Sequence, residues 1–144
     1  EQWRWLGGMR YSISAIINIM AFFKKRHLQL NLADNLVNSK CLFFVALNTI
    51  HTGKGMKMAP HAKLNDGLID TILVRDVSKL RAVKIFTQVF SGNHIFDPSV
   101  EYQQVKTFSI HTKGDLLNID GENTGHTPIN VSVVPNALKI FADL

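Results

Sequence analysis

Two carboxylates separated by one glycine are the sharpest chemical feature of the sequence. Asp120 and Glu122 flank Gly121 between apolar runs, and Asp-Gly in that setting is a strong signal for a tight β-hairpin turn. Two carboxylates on an extended segment can be held at one rim, where one accepts a proton from an attacking hydroxyl and the other orients it or helps to hold a cation. The alternative is a plain turn in which Gly121 supplies the positive φ and Glu122 is solvated.

The segment from Asn48 to Asp70 is a second candidate site. Gly53 and Gly55 allow the backbone to approach a ligand closely, and Lys54 between them adds positive charge. The segment lacks the spacing and the Lys-Ser/Thr ending of a phosphate-binding Walker A loop. An ordinary surface loop is the competing interpretation.

Oxygen ligands for a hard cation occur at the end of the same segment. Asp66-Gly67 followed by Asp70 offers carboxylate and carbonyl oxygens, which are the ligands that such cations prefer. The same residues are equally typical of a turn that starts a strand, so the pattern leaves both interpretations open.

Cysteine and histidine give little support for metal or thiol chemistry. The six histidines are scattered without metal-ligand spacing, and the single cysteine, Cys41, lies in the most apolar run, where a buried and inert thiol is expected. One cysteine also forms no intrachain disulfide, which favours a reducing, cytoplasmic compartment. No helix-turn-helix, zinc or aromatic-basic motif indicates nucleic-acid binding.

The elements that position these residues belong to one domain of 144 residues. The hydrophobic fraction is 46% and the charged fraction 19%, so the chain as a whole is globular. A net charge of +5 suits phosphate ligands, anionic lipid and nucleic acid equally. A 13-residue apolar stretch, Tyr11–Phe23, is too short to span a bilayer. It indicates a buried amphipathic helix, and contact of its basic end, Lys24-Lys25-Arg26, with a membrane surface is the alternative.

Periodicity and turn residues predict a mainly β domain, similar to a β-sandwich, with about two helices and an α+β composition overall. The first elements in order are a helix at Met9–Arg26, a half-buried strand with Leu28, Leu30 and Leu32, a polar turn bracketed by Asp34-Asn35 and Asn38-Ser39, a strand at Cys41–Leu47 buried on both faces, a loop at Asn48–Pro60 and a strand at Leu68–Val74.

The second helix has the clearest local signals. Ser78 is a suitable N-cap, and Gly92 supplies the stop. Its predicted apolar stripe is Leu80, Val83, Phe86, Val89 and Phe90. Further strands are predicted at Gln104–His111, Leu116–Ile119, Ile129–Val134 and Ala137–Phe141.

In this order and spacing, these pieces resemble the diacylglycerol kinase and sphingosine kinase superfamily of lipid kinases, specifically its C-terminal domain. The resemblance covers nearly the whole chain, and each motif in it is short. The residues that carry it are Leu6-Gly7-Gly8-Met9-Arg10-Tyr11, Asn48, Gly53-Lys54-Gly55-Met56, Ala59-Pro60, Asp66-Gly67-Leu68-Ile69-Asp70, Phe86, Phe90-Ser91-Gly92-Asn93-His94, Asp120-Gly121-Glu122 and Pro135-Asn136-Ala137-Leu138.

The resemblance implies that residues 1–144 form the β-rich C-terminal domain of a lipid kinase, whose ATP is bound mainly by an N-terminal α/β domain that this chain lacks. The chain alone is then expected to be inactive. Glu122 matches the catalytic carboxylate, with Asp120 as its supporting neighbour. Asn48, Gly53 and Gly55 are assigned to cofactor binding by the same match.

The resemblance also implies a magnesium site made by Asp66, the Leu68 carbonyl and the Lys63 carbonyl. ATP and Mg²⁺ are therefore the expected cofactors, and a lipid with a free hydroxyl is the expected substrate. Lys54 departs from the triple-glycine pattern of bacterial members. The leader around Leu6 and Tyr11 resembles the branch that phosphorylates sphingoid long-chain bases, with diacylglycerol or ceramide kinases, or a non-catalytic lipid-binding module, as the alternatives.

Overall fold

The computed structural model describes residues 25–33, 35–53 and 55–139 of the chain. In these ranges the protein is mostly β, with two antiparallel sheets, one α-helix and one short 3-10 helix. The elements are β1 (Arg26–Leu32), β2 (Asn35–Leu47), β3 (Ile69–Arg75), α1 (Lys79–Val89), the 3-10 helix Asn93–Phe96, β4 (Val100–Val105), β5 (Thr107–Ile110), β6 (Leu116–Ile119), β7 (Glu122–His126) and β8 (Ile129–Ser132). The prediction of a mainly β domain is confirmed.

Six strands form one sheet in the order β4-β3-β2-β1-β5-β8, and β6 pairs with β7 in a separate two-stranded sheet. β4 and β5 are four positions apart in that order, yet only Lys106 separates Val105 from Thr107 along the chain. Strands four positions apart in a flat sheet would be about 19 Å apart, whereas two residues span at most about 7 Å. The sheet therefore curls, so that β4 approaches β5 at this corner.

One face of the curled sheet packs against itself. Its buried side chains come from five strands: Leu28, Leu30, Leu32, Cys41, Leu73, Val105, Phe108 and Ile110. Leu30 and Leu32 are 0% and 1% exposed, which confirms the predicted alternation of β1. The rings of Phe44 and Phe108 meet edge to face at 5.4 Å and close the cluster across β2 and β5.

The connection between β1 and β2 differs from the prediction. Asn38 and Ser39, expected to border a turn, lie inside β2 opposite Gln29 and Leu28. The chain instead reverses around Ala33, whose φ is 46°. Asn38, Ser39 and Lys40 are three consecutive polar residues, which is also typical of a turn, but in β2 they are exposed or half-buried and therefore tolerated in a strand. The predicted helix at Met9–Arg26 lies outside the described residues except at its end, where it is wrong because Arg26 begins β1.

The apolar run Cys41–Leu47 is a strand, as predicted, but it is not buried on both faces. Cys41 is 2% exposed, whereas Phe43 is 36% exposed. A register shift between Cys41 and Phe43 interrupts the pairing with β3 at this point. A bulge of this kind bends a strand and re-aims its side chains. Most of the run is half-buried.

The other face of the sheet is covered by α1 and by the segment that precedes β3. The buried residues here are Ala59, Ala62, Ile72, Val74, Val77, Ala82, Ile85 and Val100. Ser78 caps α1 by accepting a hydrogen bond from the Arg81 N–H at 3.3 Å, which confirms the predicted N-cap. The predicted stripe is partly wrong, because Ala82, Ile85 and Val89 face the core while Leu80 is 79% exposed.

The C-terminal third contains more, and shorter, strands than predicted. The expected run Gln104–His111 is divided between β4 and β5 by the corner at Lys106. β6 matches its prediction, β8 begins as predicted but ends at Ser132 instead of Val134, and β7 and the 3-10 helix were not predicted. The strand expected at Ala137–Phe141 is wrong for residues 137–139, which form no strand, and its remainder lies outside the described residues.

Candidate active site

The Asp120-Gly121 pair forms the turn of the β6–β7 hairpin. Both residues have positive φ, at 50° and 97°, as a two-residue type I′ turn requires. The Gly121 N–H donates to Oδ1 of Asn118 at 3.1 Å, and Ile119 pairs with Glu122 across the ladder. The predicted hairpin is therefore confirmed.

Both candidate catalytic carboxylates lie on the surface of this hairpin. Asp120 and Glu122 are exposed, and neither forms an ion pair with a cation among the described residues. No residue of β6 or β7 is fully buried, and Leu116 and Ile119 are 55% and 57% exposed. The two carboxylates are thus free to meet a ligand or another part of the protein.

The base of the hairpin, unlike its tip, is fixed by hydrogen bonds and by an ion pair. The Asp115 N–H donates to Oγ1 of Thr127 at 3.0 Å, and the Thr127 N–H donates to the Asp115 carbonyl at 2.9 Å. The Asp115 carboxylate also pairs with the Arg26 guanidinium at the start of β1. The hairpin is consequently joined to the six-stranded sheet at its base, and its tip projects.

The glycine loop forms a small closed turn. Thr52 and Met56 make an isolated bridge, and the Thr52 N–H donates to the Met56 carbonyl at 2.9 Å. Gly53 and Gly55 both have positive φ, at 58° and 81°, and a Cβ at Gly55 would meet no atom within 4 Å. A ligand can therefore approach the backbone at Gly55, while Asn48 lies exposed where β2 ends.

The next residues of the same segment are fixed to α1 and to the 3-10 helix. The Lys57 N–H donates to the Val89 carbonyl at 3.0 Å. His94, which is 1% exposed, donates from Nε2 to the Met58 carbonyl at 3.0 Å. Burial lowers the pKa of His94, so its ring is held neutral. A Cβ at Gly92 would lie 3.2 Å from Cβ of Pro60, so a larger residue here would require Pro60 to shift by a few tenths of an ångström.

The Asp66 side chain accepts a hydrogen bond from the backbone of its own turn. Its Oδ1 accepts the Leu68 N–H at 2.9 Å, and Gly67 has a φ of 70°. The Asp66 and Lys63 side chains are exposed, and Leu68 is half-buried. The turn leads directly into β3, as one of the two sequence interpretations had it.

Asp70 is placed differently from Asp66. It is 0% exposed, on the face of β3 that lies under the loop. Its Oδ1 accepts hydrogen bonds from the Tyr102 hydroxyl and, at 3.2 Å, from Nε2 of Gln104. Asp70 is therefore an interior carboxylate rather than an open cation ligand.

The donor set at the Asp66 turn suits a weakly held, hydrated cation. Among the described residues no group of three or more histidine, cysteine, aspartate or glutamate side chains is placed to hold a metal. Asp66 is an exposed carboxylate at this turn. An oxygen donor of this type suits Mg²⁺, which is commonly bound through one or two carboxylates while it keeps several waters, better than a metal that needs a full protein cage.

The candidate residues fall into two groups within the described ranges. The glycine loop and the Asp66 turn belong to one continuous segment before β3, and the acidic hairpin belongs to the C-terminal third. No hydrogen bond or ring contact between described residues joins the hairpin to either of them. Cys41 is buried, and burial raises the pKa of its thiol, so it is a poor nucleophile.

Sequence reasoning gave no structural role to three residues that support this region. His94 and Gln104 donate hydrogen bonds to the Met58 and His61 carbonyls of the loop, and Tyr102 donates to Asp70 in β3. One signal was available: Asp70 is a lone acidic residue inside the apolar run Leu68–Val74, and such a residue requires buried partners.

Comparison with known proteins identifies the fold and the family. The family described as the YegS C-terminal NAD kinase beta sandwich-like domain matches residues 1–142. The chain belongs to this family. A fold similar to that of this domain is seen in a crystal structure of a Bacillus anthracis protein. The match covers 90% of this chain and 43% of that protein, with a TM-score of 0.66 and 17% identity. A second, described as a diacylglycerol kinase from the same organism, has a TM-score of 0.63 and 14% identity over 84% of this chain and 44% of its own.

Curated relatives of this YegS-like domain carry kinase names. A "Probable lipid kinase YegS-like" of Chromohalobacter salexigens is 31% identical over 141 residues, which are 96% of this chain and 45% of the relative. A "Diacylglycerol kinase" of Staphylococcus aureus is 34% identical over 102 residues, 70% of this chain and 32% of the relative. The chain therefore spans less than half the length of these relatives.

Proposed function

We propose that the intact protein is an ATP-dependent lipid kinase in which this YegS-like domain forms one wall of the active site. Family membership across residues 1–142 is the observation that supports this most directly. A separate α/β domain would bind most of the ATP, since the relatives are more than twice as long as this chain. The exposed acidic hairpin suits a site that is completed by another part of the protein.

The proposed transfer uses the two hairpin carboxylates. The oxygen of a lipid hydroxyl attacks the γ-phosphorus of ATP, and the bond from that phosphorus to the β-phosphate oxygen breaks to release ADP. Glu122 accepts the hydroxyl proton, and Asp120, the first residue of the Asp120-Gly121 turn, orients Glu122 or the hydroxyl. Gly53, Gly55 and Asn48 line the side that the phosphates approach.

Magnesium, when bound at the Asp66 turn, would supply positive charge near that wall of the site. Asp66 would contribute a carboxylate oxygen, and Leu68 and Lys63 would contribute backbone carbonyls. Asp66 Oδ1 is already engaged with the Leu68 N–H, so its other carboxylate oxygen is the one available to the cation.

Diacylglycerol is the lipid that the relatives' names favour. The sequence prediction of a sphingoid base rested on the leader around Leu6 and Tyr11, which lies outside the described residues, and the comparisons do not support it. Several curated relatives are named diacylglycerol kinases. We therefore place diacylglycerol first and keep the sphingoid base and ceramide as competitors in the test.

The alternative of a non-catalytic lipid-binding module receives less support. It relied on a basic cluster meeting anionic headgroups, but Lys25 pairs with Asp76 and Arg26 pairs with Asp115. Within the described residues, no helix is both long and apolar enough to cross a bilayer.

The test is a phosphate-transfer panel with the intact protein, radiolabelled ATP and vesicles that contain diacylglycerol, sphingosine or ceramide. We expect transfer to diacylglycerol, and Glu122→Gln should reduce its rate by about 10²–10⁴-fold because a positioned proton acceptor is removed. Glu101→Gln is the matched control: it makes the same chemical change on β4, where Glu101 pairs with Arg75. Transfer at the same rate by both variants would contradict the role of Glu122, and no transfer to any lipid would contradict the kinase.

A further inference from the structure

The two faces of the β6–β7 hairpin carry different kinds of side chain. Ile119 and Glu122 form the ladder pair next to the turn, and paired residues of an antiparallel ladder project from the same face. Asn118 and Asn123 form the adjacent pair and project from the opposite face, where Nδ2 of Asn118 donates to Oδ1 of Asn123 at 3.3 Å. One face therefore combines the candidate catalytic carboxylate with an isoleucine, and the other carries two amides.

The amide face has a structural role within the hairpin itself. Oδ1 of Asn118 accepts the Gly121 N–H at 3.1 Å, so this side chain braces the turn as well as pairing across the ladder. Ile119 differs, because its side chain is 57% exposed and it belongs to neither of the two buried clusters of the described residues. Its apolar surface is therefore available to a group from outside the hairpin.

The position of Ile119, rather than its exposure, points to a ligand. A single exposed apolar side chain is common on proteins and by itself indicates nothing. Side chains directly opposite each other in a ladder have Cβ atoms about 4.5–5.5 Å apart, so Ile119 lies beside the base of the Glu122 side chain. A lipid whose hydroxyl meets the Glu122 carboxylate therefore has its carbon skeleton within reach of Ile119.

Leu117 extends this apolar surface away from the turn. The register shift leaves Thr124 of β7 as the extra residue, because Leu117 pairs with Gly125 and Asn118 pairs with Asn123. β6 itself therefore keeps its alternation, and Leu117 projects from the same face as Ile119. Leu117 is half-buried, and its ladder partner is a glycine, so no side chain opposite it covers this part of the face.

We propose that Ile119 is a lipid-contact residue of the active site, against which the carbon skeleton next to the reacting hydroxyl of diacylglycerol packs. This inference rests on the proposed function, because Glu122 must be the group that the hydroxyl meets. Packing removes apolar surface of both partners from water. The contact is made equally before and during phosphate transfer, so it lowers the KM for the lipid and leaves kcat unchanged.

The decisive measurement is the steady-state kinetics of the intact protein with dioctanoylglycerol in mixed micelles, with KM determined separately for the lipid and for ATP. Ile119→Ala removes the branched end of the side chain and should raise the KM for dioctanoylglycerol about 10- to 50-fold. Both kcat and the KM for ATP should stay within about 2-fold of wild type. Ile119→Leu, which keeps the apolar volume, should restore the wild-type KM for the lipid.

Leu116→Ala is the matched control. Leu116 is 55% exposed and begins β6, where alternation places it on the face opposite to Ile119 and Glu122. Its truncation removes an equally exposed aliphatic side chain from the same strand and should leave the KM for dioctanoylglycerol unchanged. An equal rise of this KM in both variants, or no rise in Ile119→Ala, would overturn the inference. A rise of the KM for ATP in place of that for the lipid would also overturn it.

The competing occupant of this face is another part of the intact protein. Ile119→Ala would then lower the thermal midpoint and leave the KM for dioctanoylglycerol unchanged, which overturns the inference. Contact is also measured directly with a diacylglycerol that carries a photoreactive diazirine in one acyl chain, its cross-links being located by mass spectrometry. Cross-links at Leu117 or Ile119 are expected, and cross-links confined to other elements would contradict the contact.

Failure of this inference and failure of the proposed function give different results. Transfer to diacylglycerol that requires Glu122 but is indifferent to Ile119→Ala would overturn the inference and leave the kinase standing. Absence of transfer to every lipid, with cross-links at Ile119 retained, would overturn the kinase and leave a lipid-contact surface.

Discussion

The segment Met56–Leu68 and the β6–β7 hairpin both leave the six-stranded sheet, and they are held in opposite ways. The segment contains buried Met56, Ala59 and Ala62; it donates a hydrogen bond to α1 and accepts hydrogen bonds from the 3-10 helix and from β4. The hairpin has no buried residue and is attached at its base. This domain therefore fixes the candidate cation site by packing, but it places the candidate catalytic carboxylates by strand pairing alone.

Because of this difference, we expect the packed segment to contribute mainly to stability and the hairpin mainly to activity. Changes in the packed segment or beneath it should alter the free energy of unfolding, whereas changes at the hairpin tip should alter activity with little effect on folding. Each of the following predictions compares one substitution from the packed region with one from the hairpin region, except the last, which compares two properties at the tip.

The largest contrast is expected between two isoleucines. Ile72, 0% exposed, lies under the packed segment, and Ile119, 57% exposed, lies next to the hairpin turn. Ile72→Ala should lower the free energy of unfolding by about 2–5 kcal/mol, since it leaves a cavity. Ile119→Ala should change it by no more than about 0.5 kcal/mol. Urea denaturation measures both, and equal losses would show that the hairpin is packed as firmly as the segment.

Two glycines of equal φ give the next contrast. Gly92 and Gly114 both have a φ of 81°, but only Gly92 has a close neighbour, Cβ of Pro60 at 3.2 Å from the added atom. Alanine at either position should cost about 1–2 kcal/mol for the left-handed conformation. Gly92→Ala should cost about 1–3 kcal/mol more, because Pro60 must move. Equal losses in the free energy of unfolding at the two positions would mean that Pro60 moves aside at no cost.

Acid should lower the stability of the packed region, because folding keeps the buried His94 ring from taking up a proton. Its pKa is lowered by burial, so below the ordinary value near 6.5 the unfolded state binds more protons than the folded state. Stability contributed by the neutral ring is complete above that value and is lost as the pH falls toward the lowered pKa, with a slope of at most about 1.4 kcal/mol per pH unit.

His94→Gln keeps a donor for the Met58 carbonyl but does not titrate, so it should flatten this dependence in urea unfolding across the acid range. His126→Gln, at an exposed position of β7, should leave the slope unchanged. A slope that survives in His94→Gln would assign the acid sensitivity to another group.

The smallest effect on stability is expected at the hairpin tip itself. Glu122→Gln should shift the free energy of unfolding by less than about 0.5 kcal/mol, because the side chain is exposed, even while phosphate transfer falls steeply. Urea denaturation of the same preparation used in the lipid panel checks this. A large loss of stability would mean that any fall in activity comes from unfolding.

Local signals predicted local structure well. The Ser78 cap, the alternation of Leu28, Leu30 and Leu32, and the Asp-Gly turn were all confirmed. Each depends on a few neighbouring residues whose conformational preferences agree with the final fold.

The errors came from contacts that are distant in sequence. Leu80 is exposed because α1 turns Ala82 and Ile85 toward the sheet, and helical spacing alone does not decide which of two apolar stripes is covered. The bulge of β2 against β3, between Cys41 and Phe43, is visible in no local pattern of the sequence. The interior position of Asp70 depends on Tyr102 and Gln104, more than thirty residues later.

During synthesis, the pairing of β1 with β5 is delayed, because β5 follows the corner at Lys106 late in the chain. β1 pairs with β2 almost at once, but its other neighbour is β5, and Leu30 waits for Ile110, eighty positions later. Pairing over such separations is entropically costly and slow. We expect the inner leucines to remain accessible to chaperones during translation until β5 has left the ribosome, so that most of this domain becomes protected in one late step.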